Sequence, residues 1–184
     1  MKIDPRRTAV RRTGRALAAL VLLAMAGPSA AHQSAPLEGR LELTPPGELR
    51  LELVLDLDSL ATGRALGHGG EAARREVAAL DPEQRQVSER RLRETLRRRL
   101  RFRIDGQRTG VEIELPKATA EAGTFGDRAV FHGQGPANST SLVLEVSRSF
   151  PALQIEVVRG PKTERLAIPK GEASPPLPWP TPPP

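Results

Sequence analysis

The sequence contains no cysteine. That excludes disulfides, a lipoprotein anchor on cysteine, thiol catalysis and cysteine-based zinc sites. It has no tyrosine, one tryptophan and four phenylalanines, so a core must be built mostly from leucine and valine. The two methionines, Met1 and Met25, both fall near the N-terminus, and there are only three histidines. Neither a Gly-x-Ser-x-Gly motif nor a phosphate-cradling glycine loop is present, so the motifs of serine hydrolases and nucleotide enzymes are missing. Long apolar runs are scarce as well. Ala16 to Ala26 (ALAALVLLAMA) has eleven residues, against the roughly 20 that a membrane-spanning helix needs.

That run has the length of a secretory signal core. Lys2, Arg6, Arg7, Arg11, Arg12 and Arg15 precede it, with Asp4 the one acid. Gly27-Pro28 breaks the helix, and Ser29-Ala30-Ala31 supplies the small residues of a processing site. We therefore expect a signal peptide over residues 1–31, cleavage after Ala31 and His32 as the first mature residue. The alternative is a retained N-terminal anchor. Arg6-Arg7 and Arg11-Arg12 raise twin-arginine export, but neither pair leads into a convincing apolar pair, which favours the general secretory route. The expected workplace is periplasmic or secreted.

The signal also explains the charge. The chain carries 28 Lys and Arg against 22 Asp and Glu, a net of +6. Removing the six basic residues and one acid of residues 1–31 leaves 22 against 21, a net of +1. A near-neutral domain has no whole-molecule field to attract nucleic acid, so no nucleic-acid partner is expected. About 153 remaining residues suffice for a core, since a chain of that size buries roughly 70% of its unfolded surface.

Gly47 to Leu60 (GELRLELVLDLDSL) has the strongest pattern. Leu49, Leu51, Leu53, Leu55 and Leu57 fall on every second residue, with Arg50, Glu52, Asp56 and Asp58 between them. Such alternation predicts a strand with one oily and one wet face, and the oily face demands a second layer. Leu37 to Leu43 predicts a partner strand, joined through the turn Thr44-Pro45-Pro46-Gly47. Glu71 to Leu80 reads as helical, with Ala73, Val77 and Leu80 on one side. Asp81-Pro82-Glu83-Gln84 carries an N-cap, a proline at the first helical position and a capping box. The helix that follows has an apolar stripe of Val87, Leu92, Leu96 and Leu100. Alternating strands then resume at Leu100 to Asp105, Val111 to Leu115, Arg128 to His132, Leu142 to Val146, Leu153 to Val157 and Leu166 to Ile168, with Asp105-Gly106 a tight-turn pair. Short strands at this spacing predict a mainly β protein: an antiparallel, Ig-like β-sandwich over residues 32–170, with an inserted helical pair at about 71–100. The segment 171–184 (GEASPPLPWPTPPP) predicts a disordered, proline-rich tail in extended polyproline II form.

Ala31-His32, Gly39-Arg40-Leu41-Glu42-Leu43, the leucine hairpin, and the Arg- and Leu-rich helix running into Leu100-Arg101-Phe102-Arg103-Ile104-Asp105-Gly106 together form a familiar pattern. It resembles the extracytoplasmic domain that precedes the membrane region of some HupE/UreJ-like proteins, the nickel-linked hydrogenase and urease accessory group. The resemblance covers about Ala31 to Lys170 and rests on patterning plus one Asp-Gly turn. It implies a β-sandwich outside the cytoplasm, working beside an integral membrane protein. No polytopic membrane region follows in this sequence, so a transport role does not carry over.

Three sets of residues are candidates for chemistry. His32, freed at the mature N-terminus, would offer an amine and an imidazole nitrogen to one Cu(II) or Ni(II) ion, and His132 or His68 could complete the brace. The bland alternative is three unrelated surface histidines. The segment Arg85 to Arg103 holds nine arginines. Its Arg90, Arg93, Arg97 and Arg98 could touch an anionic membrane surface, or the helix could simply present a solvated back to water. The pairs Asp56/Asp58 and Glu112/Glu114 read as the wet side of strands rather than as catalytic carboxylates. Asn138-Ser139-Thr140 matches a glycosylation acceptor, which carries no weight without a known cell type. Pro175 to Pro180 reads as a spacer or loose terminus rather than as a ligand for an aromatic groove. The reading that results is an exported, non-enzymatic binding domain, with a Cu- or Ni-binding accessory protein as the alternative.

Overall fold

The computed structural model describes residues 35–45, 47–115 and 123–179. All of them fall within one compact unit, Ser34–Pro184. The expected signal peptide and the mature terminus at His32 lie outside the described residues.

The protein is mainly β, with two sheets and three helices among the described residues. The leucine hairpin forms as expected: β1 (Leu37–Thr44) pairs antiparallel with β2 (Glu48–Val54), with Leu41 opposite Leu51 and Leu43 opposite Leu49. Gly47 closes the turn at φ +105°, where its amide reaches Thr44 O at 3.1 Å. A side chain there would also meet Gly135 O, so only glycine serves.

Strand β2 stops at Val54, short of the Leu60 that the alternation suggested. Asp56 ends it: the Asp56 carboxylate accepts the Ser59 amide at 2.9 Å and caps helix α1 (Leu57–Ala61). Leu55 and Leu57 are still buried, but Asp58 turns inward with the helix rather than outward with a strand.

Helix α2 (Gly70–Ala78) and helix α3 (Pro82–Arg99) occupy the stretch read as a helical pair. The Asp81–Gln84 capping box forms in both directions, at 2.8 Å and 3.2 Å. Leu92 and Leu96 enter the core, but Val87 stays 37% exposed, so the stripe is narrower than the sequence suggested.

The remaining strands are β3 (Leu100–Ile104), β4 (Gln107–Thr109), β5 (Glu112–Glu114), β6 (Arg128–Gln134), β7 (Ser141–Val146), β8 (Leu153–Arg159), β9 (Lys162–Ile168) and β10 (Leu177–Pro178). The larger sheet runs β5-β6-β2-β1-β8-β9 and the smaller β10-β7-β3-β4. Leucines of β1 and β2, Phe131 of β6 and Ile155 of β8 share one buried cluster with Phe102 of β3 and Leu144 of β7. Phe102 and Phe131 meet at a centroid distance of 5.8 Å.

Two expectations are corrected here. The sheets are not wholly antiparallel, because β1 and β8 pair in parallel, with Leu41 opposite Val157. Between β1 and β8 the chain runs through β2, the helices, β3 and β4 of the smaller sheet, β5 and β6 of the larger sheet and β7 of the smaller one, a long connection of the kind that parallel pairing requires. The start of the proline-rich tail is also packed. Ser174 N donates to Leu144 O at 2.8 Å, Trp179 N donates to Thr140 O at 3.0 Å, and Leu177 and Trp179 are buried. Proline is tolerated because β10 is an edge strand that needs few amide donors. Residues 180–184 of the tail lie outside the described residues.

Candidate functional site

The histidines sit on separate elements. His68 is exposed in the turn before α2, its amide donating to Ala65 O at 3.0 Å. His132 lies in mid-β6, in register with Arg50 of β2 and Glu112 of β5. Its Nε2 is 3.2 Å from Glu114 Oε2, at the mouth of an open cleft of about 580 Å³. His32 lies outside the described residues. Among the described residues, no three His, Asp or Glu side chains gather as a metal would need.

Around His132 the outer face of the larger sheet is a lattice of opposite charges. Arg40 bridges Glu42 at 2.8 Å and Glu156 at 3.2 Å, and Glu52 takes Arg50 at 2.9 Å and Arg128 at 2.8 Å. The Arg50 hydrogen bond, with Arg128 behind it, holds the Glu52 carboxyl below its ordinary value, against a smaller opposing effect of burial. Each exposed pair is worth only about 0.2–1 kcal/mol. The lattice is a self-satisfied surface.

The arginine-rich helix divides into two roles. Arg85 donates to Val77 O at 3.1 Å and Gly123 O at 2.6 Å, and its guanidinium lies 5.6 Å from the Phe125 ring centre. Arg93 donates to Ile113 O at 3.0 Å and pairs with Glu89 at 2.6 Å. These two fasten α3 to its neighbours. Arg90, Arg97 and Arg98 remain exposed.

Sequence reasoning missed the most buried carboxylate among the described residues. Asp58, read as the wet side of a strand, is 3% exposed. Its Oδ1 accepts the Phe125 amide at 2.7 Å, tying α1 to the loop before β6. Desolvation pushes its carboxyl up from the ordinary 3.8, and the nearby Asp56 adds to this. The Phe125 amide, Arg74 and Arg85 act the other way. Beside it, Asp56 accepts the Ser59 amide and hydroxyl, and Ser59 Oγ accepts the Gly69 amide at 2.9 Å. One signal was available: an aspartate three residues before Ser59 fits an N-cap. A helix of five residues is too short for its periodicity to compete with the leucine alternation.

This knot lies at the base of a cleft of about 630 Å³ between the end of β2, helix α2 and the loop before β6. Val54, 45% exposed, Glu71, Arg74, Arg75 and Asp127 form its rim. The cleft combines an apolar step with charges of both signs. Asp56, Asp58 and Ser59, the groups best placed for chemistry, are bonded into the fold.

No protein-family model, no curated protein and no solved structure matches this chain.

Proposed function

We propose that the chain is an exported, non-enzymatic binding module that works outside the cytoplasm beside an integral membrane protein. The observation that supports this most is the state of the α1 knot. At the base of the cleft rimmed by Val54 and by charges of both signs, Asp56, Asp58 and Ser59 are hydrogen-bonded to Ser59, Phe125 and Gly69. A nucleophile or general base must be able to reach a substrate proton, whereas these groups hold loops in place. The rim above them, with Val54, Arg74 and Arg75, is surface for recognition.

An Ig-like sandwich with an inserted helical pair suits this role, since two sheets packed on one buried cluster present loops and clefts at their edges. The N-terminal charge and apolar pattern supports export, and the resemblance to the HupE/UreJ-like extracytoplasmic domain supports a membrane partner.

The test is photocrosslinking in the producing cell. A photoreactive residue at Val54 is expected to give a discrete adduct with an integral membrane protein. The same residue at the exposed Lys162 of β9 should not. Equal labelling from both positions, or no adduct at Val54, overturns the reading.

The second reading is a Cu- or Ni-binding accessory protein using His32. It is favoured by one observation: His132 is open to solvent, and Glu114 stands at its Nε2 to orient the ring. Metal titration of the processed protein tests it.

A further inference from the structure

We propose that a second, basic cleft, where α3 runs into β3, binds a phosphate group. Three segments meet there: the helix–strand junction at Arg99 to Arg101, the end of β7 at Glu145 to Arg148, and the chain from Gly171 to Ala173. They enclose about 350 Å³, at the small end of the range for ligand clefts.

The site is built rather than accidental. Ser147 N donates to Arg99 O at 2.8 Å and Val146 N to Glu172 O at 2.8 Å, so the walls are cross-linked through backbone. Arg148 lies over Gly171, which has φ +81°. A side chain at 171 would strike Arg148 Cγ. Glycine at that position therefore seats the arginine against the cleft.

Charge decides the ligand. Arg99, Arg101 and Arg148 line the cleft, and among the described residues none of the three donates to a carboxylate. Two acids share the lining. Glu145 is taken by Arg103, and Glu172 is exposed. Arg99 is half-buried, and that burial, with Arg98 beside it, makes its charge costly to hold. A guanidinium in that position gains most from an oxyanion that accepts two parallel hydrogen bonds. Half-buried Arg99 together with the exposed Arg101 and Arg148 around one small cleft suits a tetrahedral phosphate, and Ser147, whose hydroxyl pairs with that of Ser149 at 3.1 Å, also lines it. The phosphate could come from solution or from a lipid headgroup. The site is separate from the Asp58 cleft and stands or falls independently of the proposed function.

The test is calorimetric titration of the purified protein with inorganic phosphate at low ionic strength. Alongside it, co-sedimentation compares vesicles of phosphatidylglycerol in phosphatidylcholine with vesicles of phosphatidylcholine alone. Arg101 and Arg148 are exposed, so Arg101→Gln and Arg148→Gln should fold. Each should weaken binding about tenfold or more, as expected for lost charge-assisted hydrogen bonds. Glu172→Gln should tighten it. Saturable phosphate binding with that pattern supports the proposal with a soluble ligand. Binding to anionic vesicles alone, with the same pattern, supports it with a lipid ligand. Binding that ignores Arg101→Gln and Arg148→Gln, or follows only Arg90, Arg97 and Arg98 on the helix, overturns it, as does no binding in either assay.

Discussion

Asp105 Oδ1 accepts four hydrogen bonds from two neighbouring residues, led by the Thr140 hydroxyl at 2.8 Å and the Thr140 amide at 3.0 Å, with the Ser141 amide at 2.9 Å and its hydroxyl at 3.3 Å. The residue sits at φ +47° in the β3–β4 turn. One carboxylate thus closes a hairpin and pins the loop that leads into β7. The Thr140 hydroxyl, followed by its amide, holds the Asp105 carboxyl below its ordinary 3.8.

The sign of the resulting pH dependence is fixed by that direction. An acid whose folded pKa is depressed favours the fold above its unfolded value, and the contribution is lost as pH falls through the folded value. Asp105→Asn should therefore destabilise the protein at neutral pH and converge on the parent in strong acid. Urea unfolding across that range measures it. An unchanged gap at all pH values would mean that the turn geometry, not the charge, matters.

Asp58 should behave in the opposite sense. Its folded pKa lies above the unfolded 3.8, so it favours the fold most below 3.8 and withdraws that contribution as pH rises through the folded value. Asp58→Asn keeps an acceptor for the Phe125 amide and removes the charge. Its stability relative to the parent should improve steadily from acid to neutral pH, read as the difference in urea midpoints. A flat difference would show that the buried carboxyl does not titrate in this way.

The contact between the sheets should dominate stability. Phe131 is fully buried and meets Phe102 across the core. Phe131→Ala should cost about 3–5 kcal/mol, a large part of the 5–15 kcal/mol typical of a domain. Val54→Ala, on the exposed rim, should stay within about 0.5 kcal/mol. Chemical denaturation of both variants gives the comparison.

The strands were legible because one face of each is buried against a common core, and burial is what a two-residue rhythm records. Leu49, Leu51 and Leu53 of β2 and Leu142, Leu144 and Val146 of β7 follow it closely. The rhythm failed at Leu57 and Asp58, where leucine and aspartate continue to alternate but Asp56 starts a helix. Alternation says which residues are apolar, not which way the backbone turns. It was also silent on β1 beside β8, since the direction of a non-local partner leaves no mark on either strand. The cleft at Arg99, Arg101 and Arg148 was illegible for the same reason: it joins residues far apart in the chain, and Arg148 had no pattern to mark it. The tail misled differently. Its composition reads as extended and unpacked, and it is extended, but β7 offered an open edge.

That edge makes the single tryptophan a reporter. Trp179 is 8% exposed and Leu177 3% exposed. The emission of the native protein should be blue-shifted and poorly quenched by iodide, and both properties should vanish on unfolding. Leu177→Ala should loosen β10, redden the emission and lower stability.

Ending the chain after Lys170 removes both buried side chains, each worth about 1.5–3 kcal/mol, takes the Ser174 and Trp179 amides from Leu144 O and Thr140 O, and leaves the Val146 and Leu144 amides without Glu172 O and Ser174 Oγ. That truncation should be markedly less stable and prone to associate through the bared strand. A truncated protein as stable and monomeric as the parent would show that the proline-rich segment merely rests against β7.

The metal reading makes the sharpest demand on the N-terminus. A brace needs His32 to carry a free amine, so processing must end after Ala31, and N-terminal sequencing of exported material reads that directly. Cu(II) and Ni(II) titration should then show one tight site, lost in His32→Ala and weakened about tenfold or more by whichever of His132→Ala and His68→Ala removes the third ligand. Glu114→Gln is the discriminating variant. If His132 is the ligand, losing the carboxylate at its Nε2 should weaken the metal without removing it. If His132 is an ordinary surface residue, Glu114→Gln should leave the titration unchanged.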